Sequence, residues 1–152
     1  MKTKIAVIIA VIGLVLPSSL MALTKQESAN KALVLKVYQG LFGDHDGSVI
    51  DKYFKKDYFQ HNPMATTGAK GLKDFFYGFG LDKAPKSKVR FIRTAAEGDL
   101  VWLYTIFNFG QGDNAVVDIF RIENGKIAEH WDVIQPIPAK SASGHTMTED
   151  MQ

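Results

Sequence analysis

The segment from Asp118 to Pro138, DIFRIENGKIAEHWDVIQPIP, constrains the fold of this chain more than any other. Two runs rich in β-branched and aromatic residues flank Asn124-Gly125, a dipeptide typical of tight β-turns. The segment therefore predicts a β-hairpin. Its strands also carry three residues that a hydrophobic core does not require, Asp118, His130 and Asp132. Whether these three can form a site depends on the face of the hairpin that each one occupies.

The length of the turn decides which residues share a face, because a slip of one residue moves every side chain of a strand to the other face. A two-residue turn would place Asp118 opposite Trp131, and the other two polar residues would lie on the opposite face. A three-residue loop, Glu123-Asn124-Gly125, would place Asp118 opposite His130. Asp132 would then lie diagonally across on that same face. We predict the three-residue loop, because two right-handed residues followed by a glycine suit the sequence Glu-Asn-Gly.

The N-terminal residues have the composition of a secretory signal peptide. Lys2 and Lys4 precede an apolar run from Ile5 to Leu16, and a proline, two serines and Ala22 follow it. The run is too short to span a bilayer, so we expect residues 1–22 to be removed on export and the mature protein to have no stable membrane anchor. The predicted location is periplasmic or secreted. Because the chain has no cysteine, a hydrophobic core must stabilise it without disulfides.

The rest of the chain divides into a domain over residues 23–138 and a loose polar tail over residues 139–152. Without Lys2 and Lys4 the number of basic residues falls from 18 to 16, which equals the number of acidic residues. The basic residues are also scattered along the sequence. A chain of this kind is not expected to bind nucleic acid.

The spacing of apolar residues changes once along the domain, from a helical period to a strand period. The helical patterns cover residues 24–43, 48–54 and 72–79, and the strand patterns cover residues 88–96, 100–109, 114–123 and 126–137. This order predicts an α+β domain, in which three N-terminal helices pack on a curved antiparallel sheet. A curved sheet covered by helices forms a cone-shaped pocket that suits a small molecule.

From Tyr58 to Pro138 the chain resembles the SnoaL-like polyketide cyclase family, within the nuclear transport factor two-like superfamily. The matching segments are YFQHNP from Tyr58, GAKGL from Gly68, AEGDLVWLY from Ala96 and the hairpin segment itself. The sequence looks most like the aldol-condensation subgroup. The resemblance implies the same α+β cone over nearly the whole domain.

The resemblance also implies roles for residues of the hairpin. In the cyclases a pocket aspartate on the last strand acts as general acid/base, and by its position in EHWD it corresponds to Asp132. A polar partner lies on the preceding strand, where the cyclases carry a histidine and this chain carries Asp118. The substrate implied is a small hydrophobic carbonyl compound, and the reaction is an aldol-type cyclisation or an isomerisation.

Such a reaction needs removal of a proton next to a carbonyl group and stabilisation of the enolate oxygen. A carboxylate in an apolar pocket can remove that proton without a metal or a cofactor, because desolvation strengthens it as a base. We therefore predict Asp132 as the base, with Asp118 as its acidic partner and His130 bonded to Asp118 across the hairpin. The alternative is that Asp118 and His130 only connect two strands.

Five further residues are predicted to contact the ligand, namely His61, Tyr58, Gln60, Trp102 and Phe120. His61 is equally consistent with a plain turn before a proline, and Tyr58 and Trp102 are also consistent with the core. No metal site is predicted, because the DHDG segment has the composition of a turn and lacks further ligands at fixed spacing.

Three functions remain open at this level. The first is an exported, cofactor-free enzyme, and the second is a non-catalytic periplasmic ligand-binding or interaction module of the same fold. The third is an epoxide-type hydrolase in which Asp118 and Asp132 flank a water molecule. A homodimer is also expected, because the other face of the hairpin would be too apolar to remain in water. That face was predicted to consist of Val117, Ile119, Ile127, Trp131 and Val133.

Overall fold

The structure is a computed structural model, and it describes residues 22–148. The predicted signal peptide lies outside the described residues apart from Ala22, so its removal stays a prediction. Within residues 22–148 no helix is long and apolar enough to cross a membrane.

Three α-helices precede most of the sheet. They are α1 (Lys25–Tyr38), α2 (Ser48–Tyr53) and α3 (Ala69–Gly78), and a π-helical turn over Gln39–Gly43 extends α1. The start of α1 is a capping box, since the Glu27 N–H donates to Thr24 Oγ1 and the Thr24 N–H donates to Glu27 Oε2. The three predicted helices are therefore confirmed.

The helices pack on one face of a five-stranded sheet. Its strands are β1 (Phe54–Gln60), β2 (Phe91–Glu97), β3 (Leu100–Asn108), β4 (Asp113–Glu123) and β5 (Lys126–Pro136). Their order across the sheet is β1-β5-β4-β3-β2. The face covered by helices is called the inner face below, and the other is the outer face.

The sheet differs from the prediction in having a fifth strand, β1, which runs parallel to β5. The predicted α+β domain and its four antiparallel strands are confirmed, and the prediction lacked only this fifth, parallel strand. The two buried residues of β1, Phe54 and Tyr58, lie four residues apart and have polar residues between them. This spacing is typical of a helix, so the sequence pattern did not indicate a strand here. The register of β1 along β5 also shifts between Phe54 and Phe59.

The β4–β5 hairpin closes with a two-residue turn. Glu123 pairs with Lys126, and both Asn124 (φ 51°) and Gly125 (φ 72°) are left-handed, as a type I′ turn requires. The predicted three-residue loop was therefore wrong. Three residues beyond the turn, a β-bulge makes Ala128 the extra residue of β5, because Arg121 and Ile122 pair with residues 129 and 127.

The bulge changes the register of the hairpin by one residue. Asp118 is therefore opposite Asp132, and His130 is opposite Phe120, so all three polar residues lie on the inner face. The prediction that they share a face is confirmed, although the predicted pairing of Asp118 with His130 was wrong. The bulge also buries Ile127, which was expected on the outer face.

The outer face of the hairpin keeps exposed apolar residues. Val117 is 38% exposed and Val133 is 70% exposed. On the same side of the sheet, the Tyr104 hydroxyl donates a hydrogen bond to the Met147 carbonyl, so the tail that was predicted to be loose contacts the domain there. Dimerisation through this face stays a prediction, which light scattering can test.

Candidate functional site

A cavity of about 530 Å³ lies between the helices and the inner face of the sheet. Its volume is in the range of small-molecule sites, and most of its wall is apolar. Its aromatic wall residues away from the polar cluster are Phe42, Phe75, Phe79, Phe107 and Phe109. Two of these rings, Phe79 and Phe109, are exposed and mark the rim. The cavity can therefore accept a cyclic apolar molecule from solvent.

Three polar residues of the hairpin meet on the wall of this cavity. Asp118 is 4% exposed and His130 is 8% exposed, while Asp132 is half-buried. His130 Nε2 lies 3.0 Å from Asp118 Oδ1. All three residues line the cavity. Because they alternate along neighbouring strands, the pleat of the sheet directs them to one place.

Gln60, the last residue of β1, determines which nitrogen of His130 carries hydrogen. The backbone N–H of Asn62 donates to Gln60 Oε1 at 3.1 Å, which identifies that side-chain atom as the carbonyl oxygen. His130 Nδ1 lies 2.9 Å from the same oxygen. Since that oxygen can only accept, Nδ1 must donate and therefore carries a hydrogen.

This tautomer determines how many protons Asp118 and His130 share. With Nδ1 protonated, a neutral imidazole presents the Nε2 lone pair to Asp118 Oδ1, and a carboxylate would present a second lone pair. Two buried acceptors 3.0 Å apart are unfavourable, so one proton must lie between them. The pair is either an imidazolium with a carboxylate or an imidazole with a carboxylic acid. In both forms it holds one transferable proton.

We expect the imidazole Nδ1 of His130 to be protonated at neutral pH, and long-range ¹H–¹⁵N spectra can measure this. The His130 signals can be assigned by comparison with His130→Asn. Gln60→Leu removes the acceptor of the His130 Nδ1 hydrogen bond, so the tautomer with hydrogen on Nδ1 should no longer be favoured. Gln60→Glu keeps an acceptor at that place. An unprotonated Nδ1 in the wild-type protein would contradict the assignment.

Asn62 orients Asp132 in the same way. The Met64 N–H donates to Asn62 Oδ1 at 2.7 Å, so the NH₂ group of Asn62 faces the sheet and donates to Asp132 Oδ2 at 2.5 Å. Asn62 was not predicted as a site residue. The available signal was its place two residues after the end of β1 and directly before Pro63, which holds the residue extended.

Two predicted ligand contacts lie outside the cavity. His61 faces the outer side, where its Nε2 lies 2.9 Å from Glu129 Oε1 and its ring stacks on Trp131 at 4.7 Å. Trp102 pairs with Ile119 on the outer face, and neither it nor His61 is among the residues that line the cavity. The positions of these two residues therefore do not support their predicted contact with a ligand. Successive side chains of a strand point to opposite faces of the sheet, and both of these residues point to the face away from the helices.

The outer-face contact of His61 has an electrostatic effect on Glu129. The hydrogen bond with His61, together with one from Arg121, lowers the pKa of the Glu129 carboxyl below its usual value. This carboxylate therefore belongs to an ion-pair group on the outer face and not to the cavity.

The other three predicted contacts, Tyr58, Gln60 and Phe120, do line the cavity, and Tyr38 joins them. Burial raises the pKa of both tyrosines well above the usual value, and the nearby carboxylate of Asp118 raises it further. Tyr38 also shares a hydrogen bond of 3.1 Å with Thr105. The cavity therefore contains two neutral phenol groups that can donate to a ligand oxygen.

Tyr38 and Tyr58 are expected to ionise only as the protein unfolds at high pH. Their pKa values in the folded state are raised, so the stability they contribute is complete below the unfolded-state value of about 10 and is lost as the pH rises through the folded-state values. Absorbance at 295 nm should show tyrosinate forming together with alkaline unfolding. Tyr38→Phe and Tyr58→Phe should each reduce that phase. If the tyrosinate absorbance of these residues instead appeared at a lower pH, before the protein unfolds, the burial argument would be contradicted.

The polar cluster can also be considered as a metal site. One ligand atom from each of Asp118, His130 and Asp132 lies within 4.8 Å of the others. One histidine and two carboxylates form a donor set that divalent transition metals accept. A metal bound by both Asp118 and His130 would have to displace the proton that these two residues share.

Residues 34–130, more than half of the chain, match the family model of the SnoaL-like domain. No curated protein matches the sequence. The match to the family model ends two residues before Asp132 and includes the other two members of the polar cluster.

Many solved structures resemble this one, and three illustrate the range. A proposed SnoaL-like polyketide cyclase from Jannaschia is 19% identical, with a TM-score of 0.62, and the match covers 75% of this chain and 90% of that one. A proposed ketosteroid isomerase from Kribbella flavida is 13% identical, with a TM-score of 0.60 and coverage of 76% and 84%. AclR, a proposed hydroxylase from Streptomyces galilaeus, is 25% identical, with a TM-score of 0.58 and coverage of 72% and 90%.

Proposed function

This chain belongs to the SnoaL-like domain family, and we propose that it is an enzyme that transfers protons next to the carbonyl group of a small apolar molecule. The reaction is an aldol-type cyclisation or an isomerisation, and it needs no cofactor. The observation that carries the proposal is a carboxylate, Asp132, beside a buried pair that holds one proton in an apolar cavity. The group that accepts a proton and the group that donates one are then within reach of one ligand.

Each part of the cluster has a role in this reaction. Asp132 removes the proton from the carbon next to the carbonyl group, while Asn62 keeps the carboxylate in place. The Asp118–His130 pair gives its shared proton to the carbonyl oxygen as the enol forms. In an isomerisation Asp132 returns its proton to a different carbon and the pair recovers its own. In an aldol closure the enol carbon attacks a second carbonyl group, whose oxygen takes the proton from Asp132, while the enol hydroxyl returns its proton to the Asp118–His130 pair.

The departure from the cyclases supports the same chemistry. They carry a histidine where this chain has Asp118, but here His130 supplies an imidazole from the neighbouring strand, 3.0 Å from that carboxylate. An imidazole and a second carboxylate are still present near Asp132.

Deuterium exchange into an uncharged apolar ketone tests this proposal. 2-Tetralone has acidic hydrogens next to its carbonyl group and two fused rings that suit the cavity. Incubated with the protein in D₂O, it should exchange these hydrogens faster than in buffer containing the same concentration of acetate, as measured by ¹H NMR. Binding of 2-tetralone without faster exchange would contradict the enzyme and support the non-catalytic binding module.

Export belongs to this proposal as well, because the composition of residues 1–22 supports it. A periplasmic or secreted protein of this fold would meet ligands from outside the cell. Intact mass measurement of the protein from the periplasmic fraction should show the loss of about twenty residues. An intact N-terminus in that fraction would contradict export by cleavage.

A further inference from the structure

We propose that this cavity selects its ligands by charge, accepting uncharged or cationic apolar molecules and rejecting carboxylates, phosphates and sulfonates. The inference narrows the substrate class and rests on the proposed function for the reaction that follows binding. The accepted carbonyl compounds would be ketones, esters or amides. Free acids and phosphate-bearing thioesters would be excluded.

The first support is the set of charged groups that line the cavity. Among the described residues of its wall, the ionisable groups are Tyr38, Tyr58, Asp113, Asp118, His130 and Asp132. None of the described lining residues is a lysine or an arginine. The Asp118–His130 pair is neutral as a unit because it holds one proton. The ionised carboxylates of Asp132 and Asp113 therefore leave the cavity with negative charge.

The second support is the position of these two carboxylates. Asp132 is half-buried within the polar cluster, whereas Asp113 is exposed and accepts a hydrogen bond of 2.9 Å from Asn108 near the rim. An anionic ligand would therefore meet negative charge both on entry and at the polar end of the cavity. No lysine or arginine lines the described wall, and the Asp118–His130 pair is neutral as a unit, so nothing there compensates the charge of a buried anion and its desolvation is costly.

The third support is the kind of hydrogen-bond donors that the cavity offers. The phenol groups of Tyr38 and Tyr58 are neutral, and the Asp118–His130 pair, which shares one proton, carries no net charge. These donors suit a carbonyl oxygen, which takes one or two hydrogen bonds. They do not supply the full positive charge that a buried carboxylate needs.

Three probes with the same naphthalene ring test the proposal at pH 7. They are naphthalene-1-acetamide, which is neutral, naphthalene-1-acetate, which is an anion, and 2-(1-naphthyl)ethylamine, which is a cation. Calorimetric titration should show that the acetamide and the amine bind, and that the acetate binds on the order of 30-fold more weakly than the acetamide, as one nearby uncompensated charge predicts. An acetate that binds as tightly as the acetamide, or an acetamide that does not bind, would overturn the proposal.

Two variants separate charge selection from catalysis. Asp132→Asn removes one negative charge at nearly constant side-chain size. It should reduce several-fold the ratio between the affinities for the acetamide and the acetate. Asp57→Asn is the matched control, because the Asp57 side chain is 78% exposed and lies outside the cavity. It should leave the difference unchanged. An unchanged difference in Asp132→Asn would overturn the role of this charge. A wild-type protein that selects by charge but does not speed exchange into 2-tetralone would contradict only the enzymatic proposal.

Discussion

Asp132→Asn is expected to slow deuterium exchange into bound 2-tetralone by a factor of about 10² to 10⁴, the usual contribution of a general base. Asparagine has nearly the same shape, and its carbonyl oxygen can accept the hydrogen bond that Asn62 donates to Asp132. The fold should therefore remain, and the midpoint of thermal unfolding should change little. What is lost is the ability of residue 132 to take a proton. Exchange is measured by ¹H NMR and stability by circular dichroism.

Asp57→Asn is the control for this experiment too, because it makes the same chemical change on an exposed part of β1. It should exchange 2-tetralone at the wild-type rate. Equal rates for Asp132→Asn and the wild-type protein would rule out Asp132 as the base. If Asp132→Asn also unfolded at a much lower temperature, the loss of exchange would be a loss of structure. The spectrum of the folded variant distinguishes these results.

The sequence was sufficient to predict the elements whose signals are local. The capping box at Thr24 and Glu27, the three helices and the strands of the two hairpins all depend on neighbouring residues, and each is present. The strand β1 could not be read in this way. Its hydrogen bonds come from β5, about 70 residues later in the chain, so nothing in its own spacing required a strand.

The hairpin shows why the shared face was predicted for the wrong reason. A three-residue loop and a two-residue turn followed by a bulge both place Asp118, His130 and Asp132 on one face. The structure has the second of these geometries. The signal for the bulge was a break in alternation, because Ile127 and Ala128 are adjacent and both buried. Alternation would have assigned one of them to solvent.

The site was less predictable from the sequence than the fold was. Residues of the predicted strands, such as Phe120, could be placed by alternation from their neighbours. The two amide side chains that orient the cluster act at the end of β1, where the chain leaves the sheet. Their roles depend on which backbone N–H groups face them, and this is fixed by the path of the loop. No pattern of residue types encodes that path.

The Asp118–His130 pair is expected to make the protein less stable than an apolar pair at the same two positions would. A pair whose role was only to hold the two strands together would instead add stability. His130→Phe keeps a ring stacked on Phe120 but leaves the buried Asp118 carboxylate without its partner. Its other oxygen, Oδ2, already has no hydrogen-bond partner among residues 22–148. This variant should lower the free energy of unfolding by about 3–5 kcal/mol, the usual cost of breaking a buried pair from one side.

The double variant Asp118→Leu/His130→Phe removes both polar groups and should be at least as stable as the wild-type protein, because the added methyl groups can enter the adjacent cavity. Chemical denaturation of the wild-type protein, the two single variants and the double variant measures the four free energies. Exchange into 2-tetralone should stay low in the double variant even where stability returns. A double variant as unstable as the sum of the two single variants would instead show that the pair connects the strands. A recovered fold without exchange would mean that the protein retains a buried polar pair for its chemistry, at a cost in stability.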